Sequence, residues 1–120
     1  MSIVDEARRM RAGEGDPEAL MRAFRESTVF LQRTDPLSLP MVEWNGLNWI
    51  AAFSSLELLA QHLKTQSEVD YLAVQGERLL DTYLPAFPRH TGVVFDSGSE
   101  HMIALPPVKG IVRDELAVDA

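Results

Sequence analysis

The 120-residue chain contains no cysteine. That excludes disulfides, thiolate catalysis and every cysteine-based zinc or iron–sulfur centre, and it agrees with a reducing cytoplasm. Long apolar runs are missing too. No uninterrupted stretch approaches the roughly 20 residues needed to span a bilayer. The N-terminus, with Asp5 and Glu6 early and no apolar core, does not have the build of a signal peptide. Cations are scarce: 11 Lys and Arg stand against 18 Asp and Glu, for a net charge of −7. Binding a polyanion needs clustered basic residues that displace counterions. The nearest cluster, Arg8, Arg9 and Arg11 with Arg22 and Arg25 further on, is interspersed with Asp and Glu and reads as a solvated helix face.

Only 3 histidines are present, His62, His90 and His101. None sits in a His-x3-His or His-Glu-x-x-His spacing, so each is expected at the surface and no metal is expected. The glycines are scattered, with no Gly-x-Gly-x-x-Gly and no P-loop, and no cofactor is expected. These absences predict a cytoplasmic protein with neither a nucleic-acid nor a membrane partner.

What is present is ordinary for a globular chain: 46% hydrophobic and 24% charged residues, in one domain over 1–120 able to bury a core without staples. The densest signal runs from Trp44 to Glu57. Asn45-Gly46 is a type I′ hairpin turn, since that turn needs positive φ at both central positions. Ser54 with Glu57 three residues on reads as a capping box, opening a helix with Leu56, Leu59, Ala60 and Leu63 on one stripe.

The rest of the pattern follows by the same rules. A short amphipathic helix is predicted over 5–12, ending at Gly13. Asp16 caps and Pro17 opens a second helix to about Ser27, its stripe Leu20, Ala23 and Phe24. Thr28 to Gln32 reads as a strand that Asp35-Pro36 ends. The hairpin spans about Leu39 to Phe53, and its helix Ser55 to Lys64. Val69 to Val74 reads as a strand, and Glu77 to Tyr83 as a helix closed by Pro85 and Pro88. Thr91 to Asp96 and His101 to Leu105 form a strand pair around an Asp96-Ser97-Gly98-Ser99 turn, and Pro106-Pro107 ends the sheet. The tail from Val108 to Ala120 carries no clear element. Irregular alternation around a hairpin predicts an α+β fold: a mixed or antiparallel sheet with the Asn-Gly hairpin at its centre and about four helices on it. The expected core is Phe24, Phe30, Ile50, Phe53, Leu59, Leu63, Leu72, Leu80, Val94 and Ile103.

Pairing around the turn sets Trp44 against Leu47 and Val42 against Trp49 on one face. The other face carries Glu43 with Asn48, then Met41 with Ile50, then Leu39 with Ala52. Both faces are apolar away from the tip. The hairpin therefore needs covering twice, by helices of this chain or by a partner. Asp96, Ser97, Ser99 and His101 contain the residue types of a hydrolytic triad. Neighbours along one tight turn do not line up as acid, base and nucleophile, and no Gly-x-Ser-x-Gly elbow exists, so the segment reads as turn chemistry.

Several phrases resemble a known family. They are Asn48-Trp49-Ile50-Ala51-Ala52-Phe53-Ser54-Ser55 leading into Leu58-Leu59-Ala60, then Val69-Asp70-Tyr71-Leu72. Thr91-Gly92-Val93-Val94-Phe95 and Leu105-Pro106-Pro107-Val108-Lys109-Gly110-Ile111-Val112 complete the set. Over about residues 20 to 119 the order is similar to the N-terminal domain of the SseB family, bacterial proteins named for enhanced serine sensitivity, in its short, single-domain actinobacterial branch. Where that family often has Asn-Pro-Gly after the Gly-Val-Val strand, this chain has Asp96-Ser97-Gly98. The resemblance implies an α+β domain and offers no catalytic residue to carry over. The resulting expectation is a non-enzymatic interaction or adaptor module with a protein partner. The residues singled out for contact are Trp44 and Trp49 on the hairpin and Val108, Ile111 and Val112 in the tail. The alternative is a regulatory domain that binds a small molecule such as an amino acid.

Overall fold

The computed structural model describes residues 2–33, 40–64, 70–88 and 90–119. In chain order the elements are helix α1 (Ile3–Arg11), helix α2 (Pro17–Glu26), strands β1 (Thr28–Gln32), β2 (Met41–Trp44) and β3 (Leu47–Ala52), and helix α3 (Leu56–Leu63). Strand β4 (Tyr71–Gln75), the short helix α4 (Gly76–Arg78), and strands β5 (Thr91–Phe95) and β6 (Ile103–Leu105) complete the α+β fold. Asp35-Pro36, Leu39, Val69 and Ala120 lie outside the described residues.

Local chemistry explains the first two helices. Ser2 Oγ accepts the Asp5 amide at 3.2 Å and starts α1 earlier than the 5–12 expected from periodicity. Asp5 and Glu6 in its first turn, and Arg8, Arg9 and Arg11 in its last, complement the helix dipole. Asp16 caps α2 through the Glu18 amide at 3.0 Å, with Pro17 as the first helical residue. Leu20 and Phe24 of α2 are buried, and Phe24 meets Phe95 edge to face at 6.1 Å between centroids.

The strands divide into two sheets, where one was expected. β1 pairs with β4 alone, and β2-β3-β5-β6 form a four-stranded sheet. The two are joined where Phe30 and Phe53 exchange backbone bonds of 2.8 and 2.9 Å, a single bridge. Asn45 and Gly46 have φ of 60° and 79°, and the register sets Trp44 against Leu47 and Val42 against Trp49. The hairpin is not central: β2 is an edge strand, because the far side of β3 is taken by β5 in parallel register. Sequence proximity favoured the hairpin, but the pairing with β5 is long-range.

Two further expectations are corrected. Ser55, not Ser54, caps α3, accepting the Leu58 amide at 3.2 Å, so Glu57 falls at the second helical position and no capping box forms. The helix expected over Glu77–Tyr83 is a composite. After α4 a π turn (Leu79–Tyr83) runs into a 3₁₀ turn (Leu84–Ala86), and the Leu84 amide bonds back to the Leu79 carbonyl. The wider turn leaves Leu79, Leu80 and Leu84 all buried just ahead of Pro85, which has no N–H to continue a helix. Gly76 opens this segment against the end of α2. A Cβ there would strike the Phe24 carbonyl oxygen, so only glycine fits.

One face of the four-stranded sheet, carrying Ile50, Ala52, Val93, Phe95 and Leu105, is sealed with Ile3 and Ala7 of α1 and Leu20 and Phe24 of α2. Of the expected core, Phe24, Ile50, Phe53, Leu59 and Leu80 are buried, whereas Phe30, Leu63, Leu72, Val94 and Ile103 are only half-buried. The tail is folded against the domain. Val112 and Ala117 join the core, and the Val118 amide bonds the Pro107 carbonyl at 2.8 Å.

Leu59 is 1% exposed. Leu59→Ala is expected to lower the unfolding free energy by about 2–5 kcal/mol, read from the urea midpoint at constant m-value.

Candidate functional site

The second face of the four-stranded sheet is open. Residues directly opposite one another across strands share a face, and so do alternate residues along a strand. Val42, Trp44, Leu47, Trp49 and Ala51 therefore stand on this side. Val94 lies opposite Ala51, and Ala104 lies opposite Val94. Small side chains pave the middle and tryptophans rise at one end. Phe53 and Leu59 close the other end, where His62 of α3 tilts against Phe53 at 5.1 Å between centroids. The result is a groove of about 420 Å³ to which Gln32, Ser97 and Met102 also contribute. No Asp, Glu, Lys or Arg lines it among the described residues.

The two tryptophans are held differently. Trp49 lies over Gly92, its partner on β5: a Cβ at Gly92 would come within 2.8 Å of the indole Cζ3, so the absent side chain is what lets the ring lie down. The Trp49 indole N–H donates to the Trp44 carbonyl at 3.3 Å, which satisfies the ring's one polar atom. Trp44 is 66% exposed and Val42 67%. Large apolar side chains at that exposure, side by side on an edge strand, form a contiguous apolar patch.

Of the five residues singled out from sequence, Trp44 and Trp49 line the groove and the tail residues do not. Val108 and Ile111 are half-buried. Val112, at 4% exposure, is a core residue and is corrected from the candidate set. Its apolar side chain is covered by this chain rather than left for a partner.

Next in sequence to the groove residues Phe53, Ser97 and Met102 are Ser54, Asp96 and His101, a polar cluster whose link to Ser54 the sequence did not reveal. Asp96, 0% exposed and held at φ 50°, accepts the Ser54 amide and the Ser54 hydroxyl, each at 2.7 Å. His101 Nε2 is 2.6 Å from Asp96 Oδ2, within hydrogen-bond distance. His101 is thus a buried, bonded residue, not the surface histidine expected. Asp96 holds three polar partners, not merely a turn. Ser54 does not cap α3 but ties the β3–α3 corner to the β5–β6 corner. The clue in the sequence was the doubled Ser54-Ser55, one hydroxyl more than a cap requires. His62 is exposed, and His90 is half-buried at φ 66°, its carbonyl accepting the Asn48 amide.

The order of the cluster decides its chemistry. In a hydrolytic triad the imidazole sits between carboxylate and hydroxyl and takes the hydroxyl proton. Here the carboxylate sits in the middle, and the Ser54 hydroxyl donates to it directly. The Ser99 hydroxyl is spent on the Asp96 carbonyl at 2.7 Å. This arrangement clamps two corners together. Among the described residues no group of three His, Asp or Glu side chains is placed to hold a metal ion.

The clamp makes a stability prediction. Asp96→Asn replaces one acceptor oxygen with a donor that faces a donor, and it is expected to cost about 1–3 kcal/mol. A double-mutant cycle with His101→Gln, measured by chemical denaturation, should show a coupling above about 0.5 kcal/mol; additive effects would separate the two residues.

The family model for the SseB protein N-terminal domain matches residues 3–109, and the chain belongs to that family. No curated protein and no solved structure is matched by the chain.

Proposed function

We propose that this SseB-family domain is a non-enzymatic interaction module, and that the open sheet face around Trp44, Val42 and Trp49 is where a protein partner docks. The observation that carries this reading is the 66% exposure of Trp44 beside a groove without a single formally charged side chain among its described residues. Tryptophan is enriched among the residues that dominate binding energy, and exposing one costs solubility unless something covers it. The reading includes no nucleic-acid partner, since the net charge is −7, and no catalytic step.

A second reading rests on the size of the groove. About 420 Å³ lies within the range of small-ligand sites. An amino acid would bring an ammonium and a carboxylate into a lining that holds no ionic partner among the described residues, so the alternative narrows to an uncharged apolar molecule.

Affinity capture from cell extract, with the domain immobilised and bound proteins identified by mass spectrometry, tests the first reading. Trp44→Ser is expected to leave the circular dichroism spectrum intact, because Trp44 packs little. It should weaken the recovered partner by more than about 2 kcal/mol, roughly 30-fold in Kd. Trp49→Ser is expected to lower stability as well, because Trp49 fills the space over Gly92. Retention of every partner by a folded Trp44→Ser protein would overturn the assignment of this face.

A further inference from the structure

A second cleft, of about 600 Å³, lies on the other edge of the four-stranded sheet, between β6, α2 and the loop that follows β6. Its apolar lining includes Met10, Met21, Ile103 and Ile111, each half-buried and therefore open to the cleft. Its cations are Arg22, Arg25 and Lys109, set among the described lining residues against a single carboxylate, that of Glu18. With Arg25 paired to Asp81, two cations are left against one anion in the described lining, the reverse of a chain with 11 basic and 18 acidic residues.

The cations are not equivalent. Arg25 is committed: its guanidinium bonds Asp81 Oδ2 at 3.0 Å and reaches the Ile111 carbonyl at 3.4 Å, bracing the wall of the cleft. Arg22 and Lys109 are exposed, and neither side chain has an ionic partner among the described residues. An apolar floor with free cations at its rim is complementary to a molecule with an apolar body and an anionic head. Two methionines suit such a floor, since their unbranched, polarizable side chains adapt to an irregular guest.

We infer that this cleft is a binding site for an amphiphilic carboxylate, with the alkyl or aryl body on Met10, Met21, Ile103 and Ile111 and the carboxylate between Arg22 and Lys109. The site meets the Trp44 groove only at Ala104 among the described lining residues, none of the residues assigned to the ligand is shared, and it stands or falls independently of the interaction reading.

The methionines make the test site-specific. Met10 and Met21 line this cleft, while Met102 lines the groove on the open face. With ¹³C-methyl methionine in the intact chain, octanoate is expected to shift the Met10 and Met21 methyl signals saturably and leave Met102 in place. 1-Octanol and octylamine should bind at least about tenfold more weakly, the factor that about 1.4 kcal/mol represents. Replacing the rim cations together, Arg22→Gln with Lys109→Gln, should raise the octanoate Kd by a similar factor. Glu18→Gln removes the carboxylate in the described lining and should lower it. All three positions are exposed, and the undisturbed methyl signals report that the variants are folded. The inference is overturned by octanol binding as tightly as octanoate, by Met102 responding in place of Met10 and Met21, or by no saturable shift. It is equally overturned by a Kd indifferent to the rim cations or raised by Glu18→Gln.

Discussion

The parallel pairing of β3 with β5 runs from Asn48 opposite Thr91 to Ala52 opposite Phe95, and it ends at a buried carboxylate. The Asp96 amide completes the ladder on the Ala52 carbonyl at 2.9 Å, and the Asp96 side chain then gathers both hydrogens of Ser54 and the His101 ring. Parallel strands lack a tight turn to set their register, so something else must. Here it is a side-chain knot at the one end where the chain leaves both strands. A one-residue slip of β5 against β3 would carry Val93 and Phe95 to the open face and strand a carboxylate without its donors, a cost on both counts.

From that register follows the difference between the two faces of the sheet. One face is shut by α1 and α2, with Phe24 against Phe95 at its centre. Among the described residues the other is flanked at one end by Phe53 and by Leu59 of α3. The small residues Ala51, Gly92 and Ala104 keep that face low, and Trp49 lies flat across Gly92. A groove results because the tryptophans and α3 stand higher than the strands between them. The same asymmetry explains why Val94 is only half-buried while its neighbours Val93 and Phe95 are 0% exposed.

At the other edge of the sheet, the segment after β6 does what periodicity could not foretell. Val112 and Ala117 enter the core without belonging to a strand or long helix, tied by the Val118 amide on Pro107 and by the Lys109 amide on Asp119 at 2.9 Å. Irregular backbone of this kind has no sequence period. Its burial depends on which pockets the rest of the fold leaves open.

Much of the local structure was legible in the residues themselves. Asn45-Gly46 sets the turn because positive φ is cheap there. Asp16-Pro17 sets the start of α2, and the register of Val42 on Trp49 follows from a two-residue loop by counting. The α+β class follows from the irregular alternation of strand and helix periods, and the short phrases from Asn48 to Val112 carried the family. Tertiary structure alone decided the remainder. That β2 is an edge, that β1 and β4 form a sheet of their own, that Ser54 bonds Asp96 rather than capping α3, and that Val112 is core while Trp44 is bare all depend on contacts between residues far apart in the chain. A sequence records what each residue favours locally. Which face remains uncovered is a property of the packed whole, because every helix that shields one side of a sheet is a helix not shielding the other.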